Sequence, residues 1–120
     1  MTVQEIAARF MELAKTNQYD QIQDELYSDD CESIEPPSAM AMGLPDVKGL
    51  EAIKEKGKKF NEMIEDFHSG YTGDLTVAGN FFSVPMGMDV TFKGAGRIKM
   101  DEIAVYEVKD GKICKEQFFF

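Results

Sequence analysis

A chain of 120 residues carrying 22 acids against 13 bases, a formal charge of −9, repels phosphate backbones and anionic lipid surfaces, so neither nucleic-acid nor membrane binding is expected. With 43% hydrophobic and 29% charged residues it is too apolar for disorder and suits a single domain, 1–120, around one core. No apolar run approaches the roughly 20 residues of a membrane helix, and MTVQEIAARF lacks the basic and apolar stretches of a secretory leader, which leaves cytoplasmic residence as the expectation.

Thr2 followed by Glu5 reads as a capping box opening a first helix, with Val3, Ile6, Ala7, Phe10, Leu13 and Ala14 on one apolar face. Thr16-Asn17 interrupts it, and a shorter second helix turns Tyr19, Ile22 and Leu26 inward. Asp29 to Pro37 predicts a short strand, with Cys31, Ser33 and Glu35 on one side, stopped by Pro36-Pro37. Ser38 to Lys48 reads as a loop, although Met40 and Met42 are unusual in a plain connection. A third helix places Leu50, Ile53, Gly57, Phe60, Ile64 and Phe67 in steps of three and four, with His68 at its end.

Beyond His68 the helical period disappears. Phe82, Val84, Met86, Met88, Val90 and Phe92 alternate strictly with other residues, predicting a half-buried strand between turns at Val77–Asn80 and Lys93–Gly96. Two further strands run from Arg97 to Val108 and from Lys112 to Phe120. The hinge Lys109-Asp110-Gly111 suits a bulged three-residue loop with Val108 opposite Lys112. Helices followed by an antiparallel meander make the class α+β.

The order of these elements, with "LYSDDCESIEP" (Leu26–Pro36), "VKGLEAIKEKGKKF" (Val47–Phe60) and "VYEVKDGKICKEQF" (Val105–Phe118), resembles the SnoaL-like branch of the nuclear-transport-factor-two-like superfamily. The resemblance implies three N-terminal helices packed in the concave face of a curved, mostly antiparallel sheet, a cone-shaped, cystatin-like roll with a cavity. It also implies a homodimer through the outer face of the sheet. Members include polyketide cyclases, ketosteroid isomerase, dehydratases, epoxide hydrolases and non-catalytic carriers, so a shared fold transfers no activity.

Ketosteroid isomerase has its base just before a proline in the first strand, and Glu35 precedes Pro36 at the matching place. The places of that enzyme's two oxyanion donors fall near Phe10 and Ala104, neither of which can donate a side-chain hydrogen bond, so its activity is not expected here. Polyketide cyclases of the family use one late-strand aspartate as acid and base, for which no motif match exists. The predicted register instead sets Ala104 opposite Glu116 and Glu102 opposite Phe118, with Met100, Tyr106 and Phe120 on the same face. Glu102 and Glu116 then become diagonal neighbours roughly 7–8 Å apart. In an apolar cavity they form a poised acid/base pair; alternatively one or both lie at the wet cavity rim, or pair with Lys or Arg.

The candidate catalytic residues are therefore Glu35, Glu102 and Glu116, and the candidate ligand-binding residues are Phe10, Met40, Met42, Phe60, Met86, Met88, Tyr106 and Phe118. Methionines suit a cavity that adapts to an apolar ligand. Cys31 and Cys114 fit no zinc or C-x-x-C spacing and are expected as free, buried thiols. The lone His68 and scattered acids give no metal spacing, and no phosphate loop or nucleophile elbow is present, so no metal and no cofactor is expected. Ile103 and Val105 lie opposite Tyr106, which suggests that the outer face is covered too. Two functions remain open: a pocket protein for a small hydrophobic molecule, with cofactor-free isomerase, cyclase or dehydratase chemistry if it is an enzyme, and a non-catalytic dimerisation or carrier module whose cavity is filled by its own side chains.

Overall fold

A computed structural model describes residues 1–120. Helix α1 (Val3–Ala14) begins at the expected capping box: Glu5 N–H donates to Thr2 Oγ1 at 3.1 Å and Thr2 N–H to Glu5 Oε1 at 2.9 Å. Its apolar stripe is buried from Ile6 to Ala14, and α2 (Tyr19–Leu26) buries Ile22 and Leu26 beside it. Asn17 makes the break between them by taking a left-handed φ of 57°.

Strand β1 (Tyr27–Ile34) starts two residues before the expected strand and ends ahead of Pro36. The expected loop contains a short helix, α3 (Pro37–Ala41), and a two-residue strand, β2 (Val47–Lys48). The fold thus has four helices rather than three: Pro36-Pro37, read as a strand stop, also supplies the preset φ that starts a helix.

Helix α4 (Leu50–Met63) ends four residues before Phe67, and Ile64–Thr72 forms strand β3. Ile64 and Phe67 satisfy a helical step, but β-pairing of Ile64 with Phe92 and of Phe67 with Val90 takes them instead. His68 is therefore a strand residue, its Nε2 2.8 Å from Thr91 Oγ1, and terminates no helix. Strand β4 (Thr76–Ala78) occupies part of the expected turn, and β5 (Phe81–Phe92), β6 (Gly96–Lys109) and β7 (Lys112–Phe119) complete the meander.

The sheet order is β2-β1-β7-β6-β5-β3, with β4 also on β5. All pairs are antiparallel except β1 with β7. The α+β class and the curved, open sheet around the helices are as expected.

The β6–β7 register is not. Lys109 pairs with Lys112 across a two-residue loop whose Asp110 and Gly111 both have positive φ, 53° and 75°. A bulge at Cys114, between the Val108–Ile113 and Glu107–Lys115 pairs, then returns the strand to its original face. Tyr106 consequently opposes Glu116 and Ala104 opposes Phe118. Glu116 lies two residues, about 7 Å, further along the ladder from Glu102 than expected, so the two are not diagonal neighbours.

One end of the concave face is closed by an aromatic cluster. Phe82 stacks on Tyr106 at 4.9 Å, and Phe10 from α1 meets them at 5.4 and 4.8 Å. Val84, Ala104, Val108 and Ile113 continue this core, all buried.

Candidate functional site

The concave face changes character along its length. Val84 and Ala104 are fully buried, but the next pair, Met86 with Glu102, and the following pair, Met88 with Met100, are only partly covered. Ile98 and Phe67 at the far end of the same face are exposed. Helices α1 and α2 cover the aromatic end, while α4 reaches the other end with Phe60 packed edge-on to Phe92 at 5.8 Å. The partly open stretch between them is bordered by Phe118 of β7, opposite Ala104.

A buried polar chain runs beneath this opening. Lys56, on α4 between Ile53 and Phe60, donates to Ser33 Oγ at 2.6 Å, to Glu35 Oε1 at 2.9 Å and to Pro45 O at 3.3 Å. Ser33 Oγ donates to Glu116 Oε2 at 2.7 Å, and Tyr27 O–H donates to Glu116 Oε1. Ser33 and Glu116 are the only polar residues in the buried set, and both carboxylate oxygens of Glu116 have donors, as burial requires.

Burial raises the Glu116 carboxyl, opposed by the Tyr27 and Ser33 hydrogen bonds and the Lys56 charge. Burial also raises Glu35, opposed by its Lys56 hydrogen bond and charge. The Tyr27 and Tyr106 phenols are pushed well above their ordinary 10, first by burial and then by the Glu116 charge.

Glu102 differs from the other two. It has no hydrogen-bond or ion-pair partner among the influences that shift it. Desolvation first, then the charges of Glu35 and Glu116, raise its carboxyl from the ordinary 4.5 to about 7. It is a partly buried acid set between Met86 and the end of β7, with a proton balanced near neutrality.

The three candidate carboxylates thus face one region but in different states: Glu116 within the core, Glu35 paired with Lys56, and Glu102 unpaired at the opening. Met86, Met88, Phe118 and Phe60 border or approach the opening, whereas Phe10 and Tyr106 fill the core, Met40 is exposed and Met42, after α3, is partly buried. Sequence reasoning missed Lys56 and Tyr27. Lys56 stands three residues after Ile53 and four before Phe60, so its place on the inward stripe is a signal the spacing does contain.

No group of three His, Cys, Asp or Glu side chains is arranged to hold a metal ion. Cys31 is buried, Cys114 is half-buried, and both are free. An open groove of about 730 Å³ lies elsewhere, between Ala8 and Met11 of α1 and Leu75 and Val77, and contains none of the three candidate carboxylates. No helix is long and apolar enough to cross a membrane.

The whole chain, residues 1–120, matches the model of the SnoaL-like domain. A crystal structure from Mesorhizobium loti, named as a candidate SnoaL-like polyketide cyclase and also as a carbohydrate phosphatase, is 33% identical over 100% of both chains with a TM-score of 0.88. An NTF2-like protein of unknown function from Burkholderia pseudomallei is 13% identical, over 100% of this chain and 92% of that one, with a TM-score of 0.78. TerC, co-crystallised with polyporic acid, is 16% identical over 96% of this chain and 91% of its own, with a TM-score of 0.75. The latter two share the fold alone. Comparison with curated proteins finds no match. With a cone-shaped sheet, a whole-length family match and a relative at one-third identity over its full length, this chain belongs to the SnoaL-like domain family.

Proposed function

We propose that this protein binds a small apolar carbonyl compound over the open part of the concave face and moves a proton on it without a cofactor, with Glu102 as the single acid and base. The observation that carries this reading is Glu102 itself: an unpartnered carboxyl, partly buried among methionine and phenylalanine side chains, with its proton balanced at about pH 7. An acid/base group works best when its pKa lies near the operating pH. Neutral Glu102 donates a hydrogen bond to a carbonyl oxygen, and ionised Glu102 accepts a proton from the adjacent carbon. Isomerisation, cyclisation and dehydration all use these two steps.

Glu35 and Glu116 serve as fixed charges and hydrogen-bond acceptors, since their oxygens are already engaged. The polyketide cyclase part of the Mesorhizobium relative's name is compatible with an apolar, oxygen-bearing ligand. Two such domains pair through the outer face, where Ile103, Phe119 and Phe81 are each about half exposed and Ile103 pairs with Phe119 across the strands.

The test is a carbon-13 NMR titration of the carboxyls, with Glu102 assigned through Glu102→Gln, alongside thermal-shift screening of cyclic ketones and hydroxyquinones. A Glu102 midpoint near 7, with solvent deuterium entering a stabilising ketone only when Glu102 is present, is the expected result. A midpoint near 4.5 with no stabilising compound defeats the proposal and favours a self-filled dimerisation module.

A further inference from the structure

We infer that Lys56 is the positioning residue of this pocket: its three hydrogen bonds hold Glu35 as an ionised counterion and orient Glu116 through Ser33, leaving Glu102 as the one carboxyl able to exchange a proton with a ligand. The inference rests on the proposed role of Glu102 and supplies what that role needs, a reason why only one of three neighbouring acids is free.

An ammonium has three protons to donate and no acceptor. Lys56 Nζ meets three acceptors, Ser33 Oγ, Glu35 Oε1 and Pro45 O, at 2.6, 2.9 and 3.3 Å. With 10% of its side chain exposed, it has little access to solvent, and its partner Glu35 has 7%. Lysine is almost never so enclosed unless paired. Its three protons are therefore committed, and a ligand oxyanion finds no free donor on it.

The direction of the Ser33 bond follows from Lys56. Because it can only donate, Ser33 Oγ accepts from it, and the Ser33 proton must point away, to Glu116 Oε2. Glu116 Oε1 receives the Tyr27 hydroxyl. One cation on α4 thus orients Ser33 of β1 toward Glu116 of β7. Its bond to Pro45 O also ties down the segment before β2, where Asp46 Oδ1 accepts the Glu35 N–H at 2.7 Å.

The charges facing this cation are Glu35 just after β1, Asp46 beside Pro45, Glu116 from β7 and, beyond Glu35, Glu102 from β6. Glu35 is the larger of the two charges that raise Glu102. Lys56 keeps that charge in place: without it, Glu35 takes up a proton more readily, and Glu102 loses the repulsion that holds its own proton. The balance between the two acids therefore depends on a residue that need not touch the ligand.

The experiment is the carboxyl NMR titration of the full chain, without ligand, in wild type, Lys56→Met and Lys56→Arg. In Lys56→Met the Glu35 midpoint is expected to rise by about one to three pH units, the effect of losing an opposite charge at this range. The Glu102 midpoint falls at the same time, and Lys56→Arg restores both toward wild type. Unchanged midpoints in Lys56→Met, or an arginine variant that behaves like the methionine one, overturn the inference. Lys56→Gln, which keeps donors without the charge, gives the same reading if the methionine variant does not fold. Wild-type Glu102 titrating near 4.5 defeats the proposed function, while the Glu35 response to Lys56→Met still decides whether Lys56 holds the counterion.

Discussion

Replacing Glu102 with glutamine keeps the side-chain shape and removes its titration, so the variant should differ from wild type in stability only where Glu102 is ionised. Its carboxyl rises from the ordinary 4.5 to about 7 on folding. Each tenfold change in proton affinity is about 1.4 kcal/mol, so the ionised form is disfavoured in the fold by about 3 kcal/mol. Between pH 4.5 and 7 the folded protein holds a proton that the unfolded chain has released. Stability attributable to this group therefore falls as pH rises through that window and stays low above it. Glu35 and Glu116 are also raised, but they remain in both proteins and largely cancel in the comparison. Urea unfolding at pH 4.5, 6, 7 and 8.5 should show the two proteins nearly equal at the lowest pH. At pH 8.5 Glu102→Gln should be the more stable by about 3 kcal/mol. Parallel stability profiles across the whole range would refute the claim that this carboxyl is held in a dry environment.

Tyr27→Phe removes the hydroxyl that Glu116 Oε1 accepts inside the core, which should destabilise the fold by about 1–3 kcal/mol. The loss should be greater at pH 8 than at pH 5, because the ionised carboxylate is the form most in need of donors; an equal loss at both pH values in urea unfolding contradicts the assignment. Ile103→Asp places a charge at the centre of the outer apolar patch beside Phe119 and should turn a dimer into a monomer in sedimentation analysis. A wild-type chain that is already monomeric at tens of micromolar, or a variant that stays dimeric, refutes sheet-to-sheet pairing.

The outline of the fold was legible because its long elements carry clean periods. The alternation from Phe82 to Phe92, the stripe from Ile6 to Ala14 and the Thr2–Glu5 box each appear in the structure as read. Ile64 and Phe67 misled because a spacing of three fits a helix, while pairing with Phe92 and Val90, some 25 residues later, decides for a strand. The β6–β7 hairpin misled for a related reason. Asp110 can adopt the left-handed region that closes a two-residue loop, and the compensating bulge at Cys114 has no sequence mark. Of the site, the inward face of Glu102 could be read from the alternation along β6, whereas Glu116 shares that face only because the bulge at Cys114 compensates the two-residue loop. Their separation could not be read. The partners that set their states lie on α4 and at the start of β1, and nothing local to the β6–β7 hairpin points to Lys56 or Tyr27.

Strand β1 lies parallel to β7, which gives the pocket a history as well as a shape. Tyr27 and Glu116 are bonded to each other across 89 residues of chain. At a synthesis rate of about 5–20 residues per second, roughly 4 to 18 s separate the two on the ribosome. For that interval Cys31 and Ser33 have no β7 beside them, and Glu116, the acid that anchors the polar chain, does not yet exist. The helices can collapse early through local contacts, but the sheet closes only when its last strand arrives. The nascent chain therefore carries an open β1 edge through most of its translation, a natural place for a chaperone to hold it.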